Sequence, residues 1–256
     1  MTDTMTIPAP DRPPAQENPK PATSSVPALG RARAFTAWID RRSHDDPGVR
    51  AALRRGAGKG LDEVSFMHRF VASWLTEEQL RDRDVQRAHY TVAVLIAAQR
   101  RSQYAATAAE PRPRPEPVPG AAAGDVPPAA VTPRYGRNLG RSFADGVAKA
   151  GPGNGNGLRE ASAETRLNML TRQSVDGLHR HLPGAVRQLR DRDVDVDWAQ
   201  LLVDLCRWKR HSGEIKRRWL QDYYRALQAD GERRAREADL QRDEDADAAT
   251  ADASES

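Results

Sequence analysis

The residues of this sequence that could do chemistry are arginines and lysines set whole helical turns apart. Arg50 and Arg54 lie four positions apart, and Arg55 and Lys59 extend the same basic end. Arg137 and Arg141 repeat the interval, with Arg134 just before them, and Arg159 and Arg166 lie seven apart, with Arg172 further along. Residues at these intervals share one face of a helix. Guanidinium and ammonium groups grouped on a face can neutralise a run of phosphates without reading the bases. Each pair also has a plainer reading, as the solvated face of an arginine-rich chain.

Other chemistry is thin. The glycine-rich stretch GPGNGNG at 151–157 lacks the lysine and the preceding apolar strand that a phosphate-cradling loop requires. There is no H-E-x-x-H and only one cysteine, Cys206, which rules out an intramolecular disulfide and sits at a core spacing in WAQLLVDLCRW. His179 and His181, two apart, point to different sides of a helix. The alternating aspartates of RDRDVDVDW lack the glycine and glutamate of a calcium loop, so they read as a solvated turn. The repeated RDRD at 81–84 and 190–193 reads as exposed, ion-paired surface. No catalytic constellation, metal site or cofactor is expected.

The elements that must position the basic residues read as helices almost throughout. Phe35, Trp38 and Ile39 mark one face of a first helix; Asp46 before Pro47 caps a second, which closes on Gly56. In LDEVSFMHRFVASWL, Phe66, Phe70 and Trp74 recur every four residues, which predicts a single helix. Thr76 and Gln79 form a capping box for a helix that runs through Val85, His89, Val92 and Ile96 to about Tyr104. A short helix near 138–150 follows, then ASAETRLNMLTRQ, then VDGLHRHLPGAVRQLR, which Pro183 should kink or split. Asp197 and Gln200 make a second capping box for DWAQLLVDLCRWKR, and SGEIKRRWLQDYYRAL is the last helix. All five tryptophans fall on apolar stripes, and only Tyr104 and Tyr135 read as exposed rings between basic residues, so contacts to bases by stacking are not expected to dominate.

The fold class is therefore all-α, with two small helical bundles joined by a flexible linker. The boundaries are a disordered extension at 1–30, a helical bundle at 31–104, an Ala/Pro-rich linker at 105–133, a second bundle at 134–228 and an acidic disordered tail at 229–256. Whether each half holds its own core or both share one stays open at this point. The two helical segments together carry a net charge of +12, against −6 on the tail and +4 for the whole chain of 256 residues. A basic folded part offset by an acidic tail suggests a polyanionic partner. No run of apolar residues is long enough to span a membrane and no signal-peptide core opens the chain, so a soluble, cytoplasmic protein is expected.

The order of motifs resembles a known family. NLGRSFA, the glycine-containing loop, ETRLNMLTRQSVDGLHRHLPGAVRQL, DVDWAQLLVDLCRWKR and RRWLQDYYRAL together look like the CasB family, the small subunit of the type I-E CRISPR surveillance complex Cascade. AFTAWI, DPGVRAALRRG and FMHRFVASWL are similar in outline to its N-terminal half. The long N-terminal extension, the enlarged Ala/Pro linker and the acidic tail depart from the pattern. The resemblance implies a non-catalytic helical subunit that sits with a second copy of itself among the other Cascade subunits. Its expected partners are the CRISPR RNA and the target and displaced DNA strands, with no cofactor and no membrane. It further implies nucleic-acid contacts by Arg54 and Arg55 after DPG, Arg141 in LGR, and Arg166 and Arg172 in ETRLNMLTR; Arg50 and Arg137 join them by spacing. The alternative from another class is a free-standing helical transcription regulator, for which the loop at 151–157 is too long and glycine-rich. A metal-dependent nuclease is the third.

Overall fold

Helix α1 (Leu29–Asp45) forms because Ala32, Phe35, Thr36, Ile39 and Ser43 fall on one stripe, and all five are buried. The computed structural model describes residues 26–99, 136–150 and 156–254, so the linker at 105–133 and most of the N-terminal extension lie outside the described residues. Among the described residues there are nine α-helices and no strand. Helix α2 (Pro47–Arg54) begins as expected, with the Asp46 carboxylate accepting from the backbone of Gly48 and Val49 and proline in the first turn.

The stretch after α2 corrects the sequence expectation. LDEVSFMHRFVASWL is not one helix but short turns of 3₁₀ helix around a single α-helical turn, α3 (His68–Val71). Val64, at φ −114° and ψ 35°, breaks the helical path. The break lets Val64, Met67, Phe70, Val71 and Leu75 all turn inward, while Phe66 and Trp74 stay at the edge of the core.

The capping box at Thr76 is present: Thr76 Oγ1 accepts from Gln79 N at 3.3 Å, and Gln79 Oε1 accepts from Thr76 N at 3.0 Å. It opens a helix of one turn only, α4 (Glu77–Arg81), because Asp82 adopts an extended backbone and caps a new helix, α5 (Arg83–Ala97). The first RDRD is thus a helix junction, with the Asp82 carboxylate accepting from Asp84 N at 3.0 Å and Val85 N at 3.2 Å. Thr76→Ala is expected to lower stability by about 1 kcal/mol, the usual worth of an N-cap; chemical denaturation of the purified chain measures it, and an unchanged midpoint would refute the cap's contribution.

The second half holds α6 (Leu139–Ala148), α7 (Glu160–Thr171), α8 (Val175–Arg190) and α9 (Trp198–Ser254). Of the kink or split expected at Pro183, the split does not occur: helix α8 continues through the proline. Leu178, Leu182, Val186 and Leu189 are buried along one side of it and hold the two turns together across the missing hydrogen bond. Helix α9 contains the two helices read from the sequence, merged across a break at His211 (φ −130°, ψ 25°). It then continues to Ser254, where the sequence suggested an acidic tail from 229. Pairs one turn apart, Asp230 with Arg234 at 2.8 Å and Asp239 with Arg242 at 2.5 Å, favour helix there.

The buried apolar cluster passes through both halves of the chain. Helix α9 packs on α6 and also on α1 and α5 of the first half. Lys209 reaches Asp84 at 2.7 Å, and Thr91 Oγ1 meets His179 Nδ1 at 2.9 Å, tying α5 to α9 and to α8. Trp208 and Trp219 are fully buried with ring centroids 5.1 Å apart.

Candidate nucleic-acid interface

The basic residues singled out by spacing fall into three groups. At the end of α2, Arg54, Arg55 and Lys59 are exposed. The Arg55 guanidinium lies 5.5 Å from the Phe66 ring centroid and the Lys59 ammonium 5.6 Å from it, so one aromatic face steadies two cations. Arg50 does not join them: its Nε donates to the Ala97 carbonyl at 3.2 Å and its Nη2 to that of Gln99. Arg50 thus secures the C-terminal end of α5, whose last carbonyls have no partner within the helix.

The second group surrounds the start of α6. Asn138 caps the helix, its Oδ1 accepting from Arg141 N at 3.1 Å, while its amide donates to Asp222 of α9. Arg141 Nε bonds Asp145 at 3.1 Å, and Arg137 pairs with the same carboxylate. Burial, with Arg141 close by, holds the Arg137 guanidinium below its ordinary range. These side chains, with Arg225 of α9, line an open cleft of about 590 Å3. Two carboxylates, Asp145 and Asp222, stand among three arginines there, so the cleft is only mildly basic; about half of the Arg141 side chain, 53%, faces solvent.

The third group is on α7. Arg166 is half-buried and donates to Gln188 Oε1 of α8 at 3.3 Å, whereas Arg172 at the helix end is exposed. The structure therefore leaves Arg54, Arg55, Arg141 and Arg172 most open to solvent and commits Arg50 to the fold.

The sequence missed a fourth basic group. A cleft of about 650 Å3 opens between α5 and α8, with the 56–60 loop on one side. Arg87, Arg180, Arg187 and Arg190 line it together with Lys59, the one member already noted, and with the carboxylates of Asp176 and Asp195. Arg87 is paired with Asp176, while Arg180 and Arg187 are exposed. The seven-residue interval of Arg180 and Arg187 was readable; their meeting with Lys59 and Arg87 was not, because those residues come from distant elements. His179, buried in this cleft, has its pKa lowered to about 4, chiefly by burial, so it is neutral near pH 7. Cys206 is buried as the spacing implied, and burial pushes its thiol far up, away from reactivity. Among the described residues no three His, Cys, Asp or Glu side chains gather as a metal ion would require, and no helix is long and apolar enough to cross a membrane.

Among the described residues only helices occur, with exposed arginines at their ends and along two clefts, and they define an all-α protein with basic faces. The family model for CRISPR-associated protein Cse2 matches residues 49–224, more than half of the chain. The chain belongs to the Cse2 family. A chain of a "CRISPR RNA-guided surveillance complex" is similar at 33% identity, covering 82% of this chain and 99% of its own, with a TM-score of 0.61. A chain of such a complex in a pre-nicking state is 34% identical, over 81% of this chain and 98% of its own, with a TM-score of 0.62. The crystal structure of M. ruber CasB shares the fold at 22% identity, over 79% of this chain and 97% of its own, with a TM-score of 0.59. No curated protein matches. These likenesses do not favour the free-standing regulator.

Proposed function

We propose that this chain is the small, non-catalytic subunit of a type I-E CRISPR RNA-guided surveillance complex and acts in the cytoplasm in antiviral defence. One observation carries the reading: the similarity to a surveillance-complex chain runs over 99% of that chain's length, so the helical body corresponds end to end. In this role guide RNA reads the target by pairing, and the protein supplies backbone contacts. Exchange of a DNA duplex for a guide–target hybrid is nearly balanced, so a few phosphate contacts decide whether the displaced strand stays apart. Arg54, Arg55, Arg141 and Arg172 are open to make them. The partners are the other complex subunits, a second copy of this chain, the CRISPR RNA, and the target and displaced DNA strands.

The test uses the assembled complex. Reversing Arg54 and Arg141 together to glutamate should weaken target-DNA binding and flatten its dependence on salt, by about one unit of log–log slope for each phosphate that is no longer neutralised. An unchanged affinity and slope would remove these residues from the interface.

A further inference from the structure

The cleft between α5 and α8 is where the chain departs from the described fold before residues 100–135 and where it rejoins it after them. Ala98 and Gln99 line the cleft and are the last described residues before that stretch. Arginines fix their backbone: Arg190 of α8 donates to the Ala98 carbonyl at 2.8 Å, and Arg50 donates to the carbonyls of Ala97 and Gln99. The chain resumes at Gly136, whose N–H donates to Gln200 Oε1 at 2.6 Å, and Arg137 N donates to Asp197 Oδ2 at 3.1 Å. Asp197 stands between Val196 and Trp198, and both of those line the cleft. Two sets of hydrogen bonds thus hold both ends of residues 100–135 beside one cleft.

The cleft asks for an occupant of mixed character. Leu61, Pro183, Val196 and Trp198 line it and are only half-buried, so apolar surface there still meets solvent. Lys59, Arg87, Arg180, Arg187 and Arg190 line it against two carboxylates, Asp176 and Asp195. Arg87 pairs with Asp176, Asp195 is exposed, and Lys59, Arg180 and Arg187 are exposed too, which leaves an excess of positive charge.

We propose that this cleft is the docking groove of the chain's own segment 115–119, PEPVP, with the Glu116 carboxylate among Lys59, Arg180 and Arg187 and with Pro117, Val118 and Pro119 on the apolar surface. Arg114, just before the segment, has the right sign for Asp195. Reach does not limit the contact: Glu116 lies 17 positions after Gln99 and Pro119 lies 17 positions before Gly136. Each arm spans up to about 56 Å when extended. Proline at every second position from 111 to 119 restricts the backbone before any contact forms, so binding orders little further. Tethering at both ends gives an effective concentration of about a millimolar, so even a weak contact is well populated. The acidic residues 244–256 would answer the cations but bring only alanine, serine and threonine to the apolar surface. The enlarged Ala/Pro segment is on this reading a ligand carried by the chain itself, joining the two halves across the seam of α5 and α8.

The test uses the full-length chain and a variant of it in which residues 115–119 are replaced by glycine and serine at equal length. A labelled synthetic peptide of residues 110–120 is titrated against both. It is expected to bind the replaced variant about tenfold more tightly than the parent, whose cleft is already filled from within. Glu116→Lys in the peptide should weaken that binding about threefold to fivefold, and Arg187→Glu in the replaced variant should restore it. The exchanged residues lie outside the helices, and Arg187 is exposed, so folding is not at stake. A peptide that binds neither chain, or both equally, would overturn the proposal. Tighter binding of a peptide of residues 244–256 would overturn it in favour of the acidic tail. Neither Arg54 nor Arg141 lines the cleft, so their reversal in the assembled complex judges the proposed function separately.

Discussion

Arg218→Met is expected to cost about 3–5 kcal/mol at neutral pH, the penalty that follows when one partner of a buried ion pair is removed. The Asp204 carboxylate is fully buried, and the Arg218 side chain is 14% exposed. Asp204 accepts from the Trp219 indole N–H at 2.7 Å, from the Gln200 amide at 2.7 Å and from the Arg218 guanidinium. Asp204 precedes the break at His211, and Arg218 and Trp219 follow it, so one carboxylate fastens two helical segments. Gln200 also accepts from Gly136 N at 2.6 Å, which ties the entry to α6 into the same network.

The pH dependence follows from charge. Burial pushes the Asp204 carboxyl above the ordinary aspartate range, and Arg218, the indole and the amide pull it back. In the variant the strongest opposing charge is gone, and the carboxyl must take up a proton to stay inside. A carboxyl with a raised folded pKa loses stability as pH rises from its unfolded value, about 3.9, toward its folded one. The variant should therefore be hurt more at pH 8 than at pH 4. Denaturant titrations at the two pH values decide it, and equal destabilisation at both would refute the electrostatic account. Asp204→Asn combined with Arg218→Met should recover part of the neutral-pH stability.

Gly140→Ala is the second large effect, at about 3 kcal/mol. Gly140 is buried in α6, where a Cβ would lie 1.8 Å from the Trp219 carbonyl oxygen and 2.6 Å from its carbon. The obstacle is backbone, so no rotamer change relieves it, and α6 must move off α9. Overpacking of this kind costs about 1–3 kcal/mol and more when backbone shifts, which outweighs the gain of nearly 1 kcal/mol that alanine brings to a helix interior. Gly146→Ala is the natural comparison, because its Cβ would meet the Leu158 side chain, at 2.7 Å, which can turn aside. Thermal unfolding should show a clearly lower midpoint for Gly140→Ala than for Gly146→Ala. Similar midpoints would mean that the α6–α9 approach is not what fixes glycine at 140.

Features encoded within a few residues were legible in the sequence. The Thr76 box, the Asp46 cap and the stripes of α1 and α9 depend on neighbours two to four positions away, and spacing shows them. Local reading failed where a residue's partner lies far along the chain. Arg50 has the same spacing to Arg54 as any surface pair, but the end of α5 comes to rest beside it. Asp82 looks like one of four charges in RDRD, and only its extended backbone shows that it starts a helix. In NLGRSFA the arginine attracts notice first, whereas the glycine before it sets how closely two helices approach. The cleft between α5 and α8 was invisible for the same reason: Lys59, Arg87 and Arg187 share no periodicity and meet only in the folded chain.

Helix α1 rests on α9, the first described helix on the last. Helical proteins usually fold fast because their contacts are local, and the rate falls as the sequence separation of contacts grows. Here Trp74 and His89 cover one side of Phe35, with ring centroids 5.8 and 5.1 Å away, and a large loop must close before α9 covers the rest of the α1 face. On the ribosome the opening helices emerge long before α9 exists, so α1 can settle on α2 and α5 first and receive α9 last. The shared core thus makes the docking of α9 on the first half the step with the longest loop to close.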